Sequence, residues 1–317
     1  MTEAQVASAP DSLVAFMREL PHGIAAIGLE AGPLSHWLHK GLTDAGFEAV
    51  LMETRQVKAM PIKTDRRDTE DIARLLQMGW FRPVHCKTVL SQEMRALLTS
   101  RKSVLNALIN LELSLRGVLR NFGLKLGQVS RNRYEARVRE LIVGNPMLEA
   151  AAEPILRARA DLRRELAGLE KLVRKLARQD QACRLLMTMP GVGEVIALTF
   201  TSAIDAPERF RRSKDVGPWV GLTPGRDQSG ERDVTGRITK AGNSGLRAAL
   251  YQAATVMLNR AGPNWLKAWA QRLTKMRGKK RATVALARRI GVVLHRMWRD
   301  GTEFRFTRDE AMALRTA

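Results

Sequence analysis

Acidic residues are scarce in this 317-residue chain, with 32 Asp and Glu against 53 Lys and Arg and a formal net charge of +21. Cysteines number two, Cys86 and Cys183, far apart and without a CxxC, which excludes a disulfide framework and gives no pattern for a zinc site. No apolar run approaches the roughly 20 residues of a membrane span, and the opening "MTEAQVASAP" has neither the basic nor the apolar region of a secretory leader. These absences leave a soluble chain, no membrane partner and a reducing cytoplasm as the expectation.

The composition that remains is that of folded material: 45% of residues are hydrophobic, and the length suffices for two or three domains. The positive charge is unevenly placed. Residues 1–98 carry 11 basic and 12 acidic groups, residues 99–186 carry 18 and 9, and residues 187–317 carry 24 and 11. An excess of this kind points to a polyanion, here read as nucleic acid, and locates its contacts outside the first third.

Along the chain, "GIAAIGLEA" (23–31) and "FEAVLME" (47–53) read as strands around a helix over 33–46, with Pro33 in its first turn and Gly46 as its stop. A βαβ unit of this kind is right-handed and parallel, and ligands of such sheets sit at the carboxyl ends of the strands, where Glu30 stands. "IKTDRRDTEDIARLL" then predicts a helix from Asp65 to Gln77 with Ile72, Leu75 and Leu76 as its apolar face. In the middle third, Val104, Leu108, Leu111, Leu115, Val118 and Phe122 follow a heptad seam, and Ile155, Leu162, Leu166, Leu169, Val173 and Leu176 repeat it. Two such helices fold back on each other or pair with another subunit. "MPGVGEV" places Pro190, Gly191 and Gly193 in a tight turn between helices, a helix-hairpin-helix pattern whose backbone N–H groups suit phosphate, though Pro-Gly between helices is also ordinary punctuation. Trp265, Trp269 and Trp298 read as core, His36 and His39 as structural.

Asp65 and Asp68 suit a helix N-terminus as cap and first-turn residues. Together with Glu30 they also form a set of hard oxygen donors suited to Mg²⁺, and paired Mg²⁺ ions stabilise the attacking and leaving oxygens of a phosphodiester reaction. The basic cluster from Lys275 to Arg281 reads either as a solvated face or as a phosphate contact.

The blocks "GLEAGPLSHWLHKGLTDAGFEAVLME…KTDRRDTEDIARLL" and "MPGVGEVIALTF…FRRSKDVGPWVGLTPGRDQSGERDVTGRITKAGNSGLRAAL" resemble, in order, the DEDD transposases of bacterial insertion sequences, the group that includes Piv-type invertases. The resemblance implies a mixed α/β and α architecture. Residues 1–90 would form a RuvC-like (RNase H) domain, residues 91–184 a coiled coil, and residues 185–317 a mostly helical transposase domain with the helix-hairpin-helix-like element. It implies Glu30, Asp65 and Asp68 as ligands of Mg²⁺ and Ser229 as a nucleophile that joins the protein to DNA, although by composition alone Ser-Gly after Asp-Gln reads as a turn. Gly191, Gly193, Arg226, Arg237, Lys240 and Arg247 would contact nucleic acid, together with Arg232 around the scissile phosphate. DNA, a guide RNA in some members, and a homodimer or homotetramer are the implied partners. The family's first Asp lies on an initial strand that this chain does not show, so the first domain is expected to be partial. The alternative function is that of a catalytically impaired, nucleic-acid-binding remnant.

Overall fold

The computed structural model describes residues 4–53, 65–229 and 232–307, without the side chains of residues 65–68, 227 and 232. It is mostly helical with two small sheets, and it separates into a unit of Met1–Thr88 and a unit of Val89–Ala317.

In the first unit, α1 (Pro10–Glu19) packs on α2 (Ser35–Asp44) at Gly41, where any side chain would run into the ring of Pro10 at 2.4 Å. Asp11 stands in the first turn of α1, with Ala9 at the cap position. Helix α2 connects β1 (Ile27–Glu30) to β2 (Ala49–Met52), which pair in parallel from Ile27↔Ala49 to Glu30↔Met52. The expected stop is in place: Gly46 adopts φ +91° and its N–H bonds back to Thr43. Helix α3 (Asp65–Gln77) has the predicted bounds, and its Ile72 and Leu76 close over Gly28 of β1, where a Cβ would meet Ile72 at 2.7 Å and Met52 at 2.9 Å. The outer side of β2 is covered by an antiparallel bridge from Met52 to Pro83, with Val84 N–H donating to the Leu51 carbonyl.

The second unit opens with α4 (Val89–Asn121), followed by α5 (Tyr134–Ile142) and α6 (Pro146–Gln179). Helices α4 and α6 run antiparallel, as the ion pairs Arg101–Glu170 and Glu112–Arg159, both 2.7 Å, require. The two seams therefore meet within one chain. The heptad reading fails at its end: Val118 and Phe122 are 37% and 58% exposed, while Leu119 is 1% exposed. The cause is α5, whose Tyr134, Val138 and Ile142 enter beside Leu115 and Leu119 and turn the buried stripe to i, i+4 spacing. Arg159, 2% exposed, lies 4.3 Å over the Tyr134 ring and also donates to the Arg131 carbonyl, so its charge is fully engaged.

The remaining helices are α7 (Gln181–Leu186), α8 (Glu194–Ile204), α9 (Val216–Trp219), α10 (Ser244–Arg260), α11 (Trp265–Arg277) and α12 (Lys279–Asp300), with β3 (Pro224–Ser229) and β4 (Arg232–Ile238) between α9 and α10. Their core includes Phe200, Leu246, Leu250, Met257, Leu286, Ile290 and Leu294, with Trp265, Trp269 and Trp298 packed at its edge as expected. Three asparagines cap helices here and in the middle segment: Asn145, Asn243 and Asn264 accept from the backbone N–H groups of Leu148, Leu246 and Lys267.

Candidate functional site

Ser229 is exposed at the end of β3, paired with Arg232 across an antiparallel hairpin whose register also sets Arg226↔Thr235 and Asp227↔Val234. A serine so placed is open to a large ligand, and its positioning depends on how firmly the hairpin is rooted. The root is built of backbone against backbone. Gly221 (φ +74°) lies so close to the Lys240–Ala241 segment that a Cβ would fall 2.2 Å from the Ala241 carbonyl oxygen, and Gly242 (φ +72°) would place one 1.9 Å from that of Trp219. Only glycine fits either position, both for space and for the left-handed backbone. Thr239 and Lys240 N–H groups bond to the carbonyls of Thr223 and Gly221, and Lys240 itself takes φ +56°.

Arg247, in the first turn of α10, completes the root. Its Nη1 donates to the Val220 carbonyl at 2.8 Å and the Ala241 carbonyl at 3.0 Å, stapling the two ends of the hairpin to the helix capped by Asn243. This role was not apparent from the sequence, because both acceptors are backbone atoms that pattern does not reveal. The two glycines of "VGL" and "KAG", flanking a hairpin symmetrically, were the available signal. Arg226 is likewise engaged: its Nε and Nη2 donate to Asp233 at 2.7 and 2.5 Å, a bidentate pair that lowers the Asp233 carboxyl. Arg237 and Lys240 are exposed on the same hairpin and its return.

Of the helix-hairpin-helix glycines, Gly191 (φ +88°) faces α10, where a Cβ would lie 2.7 Å from the Ala253 carbonyl oxygen, so packing accounts for it. Gly193 is exposed and is the N-cap of α8, with Glu194 in the first turn 3.8 Å from Arg178 and 4.0 Å from Arg174.

In the first unit, Glu30 ends β1 and is half-buried; Asp65 opens α3 and Asp68 follows in its first turn, their side chains lying outside the described residues. Among the described residues no group of three His, Cys, Asp or Glu side chains could hold a metal ion. His36 is structural, its Nδ1 3.3 Å from the Cys86 sulfur. Also among the described residues, no helix is long and apolar enough to cross a membrane.

Comparison with known proteins meets this geometry in the second unit. The chain is 27% identical over 273 residues to the transposase for insertion sequence element IS1111A of Coxiella burnetii, covering 83% of this chain and 75% of that protein. It is also 27% identical over 293 residues to a protein of Pseudomonas aeruginosa named "Probable family 20 transposase", covering 88% and 85%. The chain is thus similar to insertion-sequence transposases along most of its length, and residues 183–270, which hold the rooted hairpin and its supporting helices, match the Transposase IS116/IS110/IS902 family.

Proposed function

We propose that the chain is a transposase of the DEDD type, related to the Piv invertases, that cuts and rejoins DNA at the ends of an insertion sequence with Ser229 as nucleophile. The observation that carries this reading is the rooted hairpin, which presents an exposed serine near its tip, opposite Arg232, and carries Arg237 and Lys240 toward its base. In the step proposed, Ser229 Oγ bonds to phosphorus, the P–O bond to one DNA strand breaks, and the departing strand oxygen takes the proton lost by the serine. The phosphoserine ester keeps the energy of the broken bond for rejoining. Rigid placement matters because attack requires the hydroxyl in line with the leaving oxygen.

Glu30, Asp65 and Asp68 would hold Mg²⁺, and the oxygen donor set suits that hard cation. Bound there, Mg²⁺ would supply charge stabilisation to the oxygens of a phosphodiester. Two features support the RuvC-like reading of this unit: the parallel β1–α2–β2 crossover with Glu30 at its carboxyl end, and the spacing of positions 65, 68 and 72 on one face of α3, whose Ile72 meets Gly28 two residues before Glu30. The antiparallel α4–α6 pair stands where the coiled coil is expected. A second subunit and an RNA encoded beside the gene complete the proposed assembly.

The test incubates the full chain with Mg²⁺, duplexes taken from the DNA flanking its gene, and RNA transcribed from the same flanks. A covalent protein–DNA adduct that disappears in Ser229→Ala, with binding retained, is the expected result. An adduct that persists in Ser229→Ala would show another nucleophile. Binding with no adduct under any of these conditions would favour the impaired remnant.

A further inference from the structure

From Val234 to Arg299 the chain contains no acidic residue in 66 positions, against 15 Lys and Arg. Five of those cations fall within seven residues at the corner between α11 and α12: Lys275, Arg277, Lys279, Lys280 and Arg281. All five are exposed, and none has an ion-pair partner among the described residues. Elsewhere in this unit, exposed arginines are commonly paired along their own helix, as in Arg137–Glu140, Arg164–Asp161 and Arg296–Asp300. The sixth side chain of the corner is Met276, 78% exposed in the middle of the cations. The apolar residues of comparable exposure at the α5–α6 turn, Val143 and Met147, stand instead near Glu149.

This arrangement has a cost within the fold. Lys279, Lys280 and Arg281 occupy the first turn of α12, the end at which the helix dipole disfavours cations, and no acid offsets them there. A merely solvated basic face would gain nothing from such a placement.

We propose that the α11–α12 corner is a second contact with duplex DNA, distinct from the Ser229 hairpin. Its five cations meet phosphates on both sides of a groove, and Met276 presses between base steps in the manner of an apolar wedge. The duplex is favoured as occupant because it presents two closely spaced rows of phosphates, matching cations that project from two helices on either side of one apolar side chain. The inference deepens the proposed function and rests on its assignment of DNA as substrate.

The test measures binding of the full chain to a short mixed-sequence duplex over a salt series, alongside a structured RNA and anionic phosphatidylserine vesicles. Lys279→Ala/Lys280→Ala/Arg281→Ala should lower the magnitude of the salt slope by about 3, near 0.9 for each lost phosphate contact. Met276→Ala should keep the slope and lose the fluorescence rise of a 2-aminopurine base in the duplex, which reports unstacking. Lys279→Glu/Lys280→Glu should weaken duplex binding further while raising Tm by about 2–5 °C, since it corrects the charge at the dipole. That opposite movement of stability and binding distinguishes a DNA contact from a structural role. An unchanged slope in the triple variant, or a loss seen only with RNA or only with vesicles, would overturn the proposal and leave the Ser229 reading standing. Failure of the unaltered chain to bind duplex at any salt would sink both.

Discussion

Glu30 and Ser229 are both presented at strand ends, but on foundations of different depth. Glu30 terminates a parallel two-stranded pair whose buried cluster is small among the described residues, Met52 and Leu75 with Ile72, Leu76 and Phe81 at its edge. Ser229 stands on a hairpin rooted by glycine contacts and Arg247 to a core that extends from Val173 to Phe304. Two-stranded sheets are marginal by themselves and draw stability from what covers them. Among the described residues that cover is slight in the first unit. In the second unit steric fit at Gly221 and Gly242 fixes the base of the hairpin that carries the serine.

If that contrast holds, truncations of equal size should have unequal consequences. Leu250→Ala, in the fully buried centre of the second unit, should cost about 4–5 kcal/mol, and Leu42→Ala in the first about 2–3 kcal/mol. In native-state hydrogen exchange, amides of β1 and β2 should exchange well before those of α10 and α12. Equal protection of the two regions would break the comparison.

Next in size is the root of the hairpin. Gly242→Ala must clear the Trp219 carbonyl and adopt a left-handed backbone, so a loss of about 2–3 kcal/mol is expected. Gly46→Ala in the first unit also has positive φ but open space around it, and should cost about 1 kcal/mol. Denaturant titration of the two variants reads the difference, and Gly242→Ala should reduce adduct formation more than binding.

These expectations mark where the sequence was legible. Gly46 as a stop and the span Asp65–Gln77 are local signals, and both appear where pattern placed them. The parallel pair followed from apolar runs around a helix of crossover length. The heptad seam was legible only as far as Leu115, because Leu119 replaces Val118 through contact with α5, which is separated from it by a loop. Arg247 was read as a phosphate ligand from its charge, yet its Nη1 serves two carbonyls, one of them 27 residues away. Nothing in a one-dimensional pattern distinguishes those uses of a guanidinium.

A smaller effect separates the units by pH. His295 is fully buried in the second unit, its Nε2–H donating to the Pro207 carbonyl at 2.9 Å, so Nδ1 accepts from the Ser213 hydroxyl at 3.0 Å. Burial holds its imidazole below the usual value, opposed by the Pro207 hydrogen bond and, more weakly, by Asp300 and Glu208, while Arg299 adds to the depression. Below about pH 6.5 the unfolded chain takes a proton that the folded chain declines, so stability falls with pH until the depressed folded value is reached. Melting curves taken from about pH 7 to 5 should show this loss in the second unit, and His295→Gln should flatten it. A slope that survives the substitution would place the titration elsewhere.

The smallest expected change concerns Arg226, whose fork is closed by Asp233 on the opposite strand. Both side chains are exposed, so the pair contributes little to folding, and Asp233→Asn should leave Tm unmoved. Its effect should fall on binding instead, because the substitution removes one negative charge beside Ser229 and releases a guanidinium able to grip a phosphate in two places. At low salt, affinity for duplex DNA should rise a few-fold, and the gain should shrink as salt is added. Arg226→Ala combined with Asp233→Asn should erase the gain, which ties it to the released arginine and not to charge removal alone. A rise that persists in the double variant would mean that Arg226 only shapes the hairpin, and that the gain comes from removing the Asp233 charge alone.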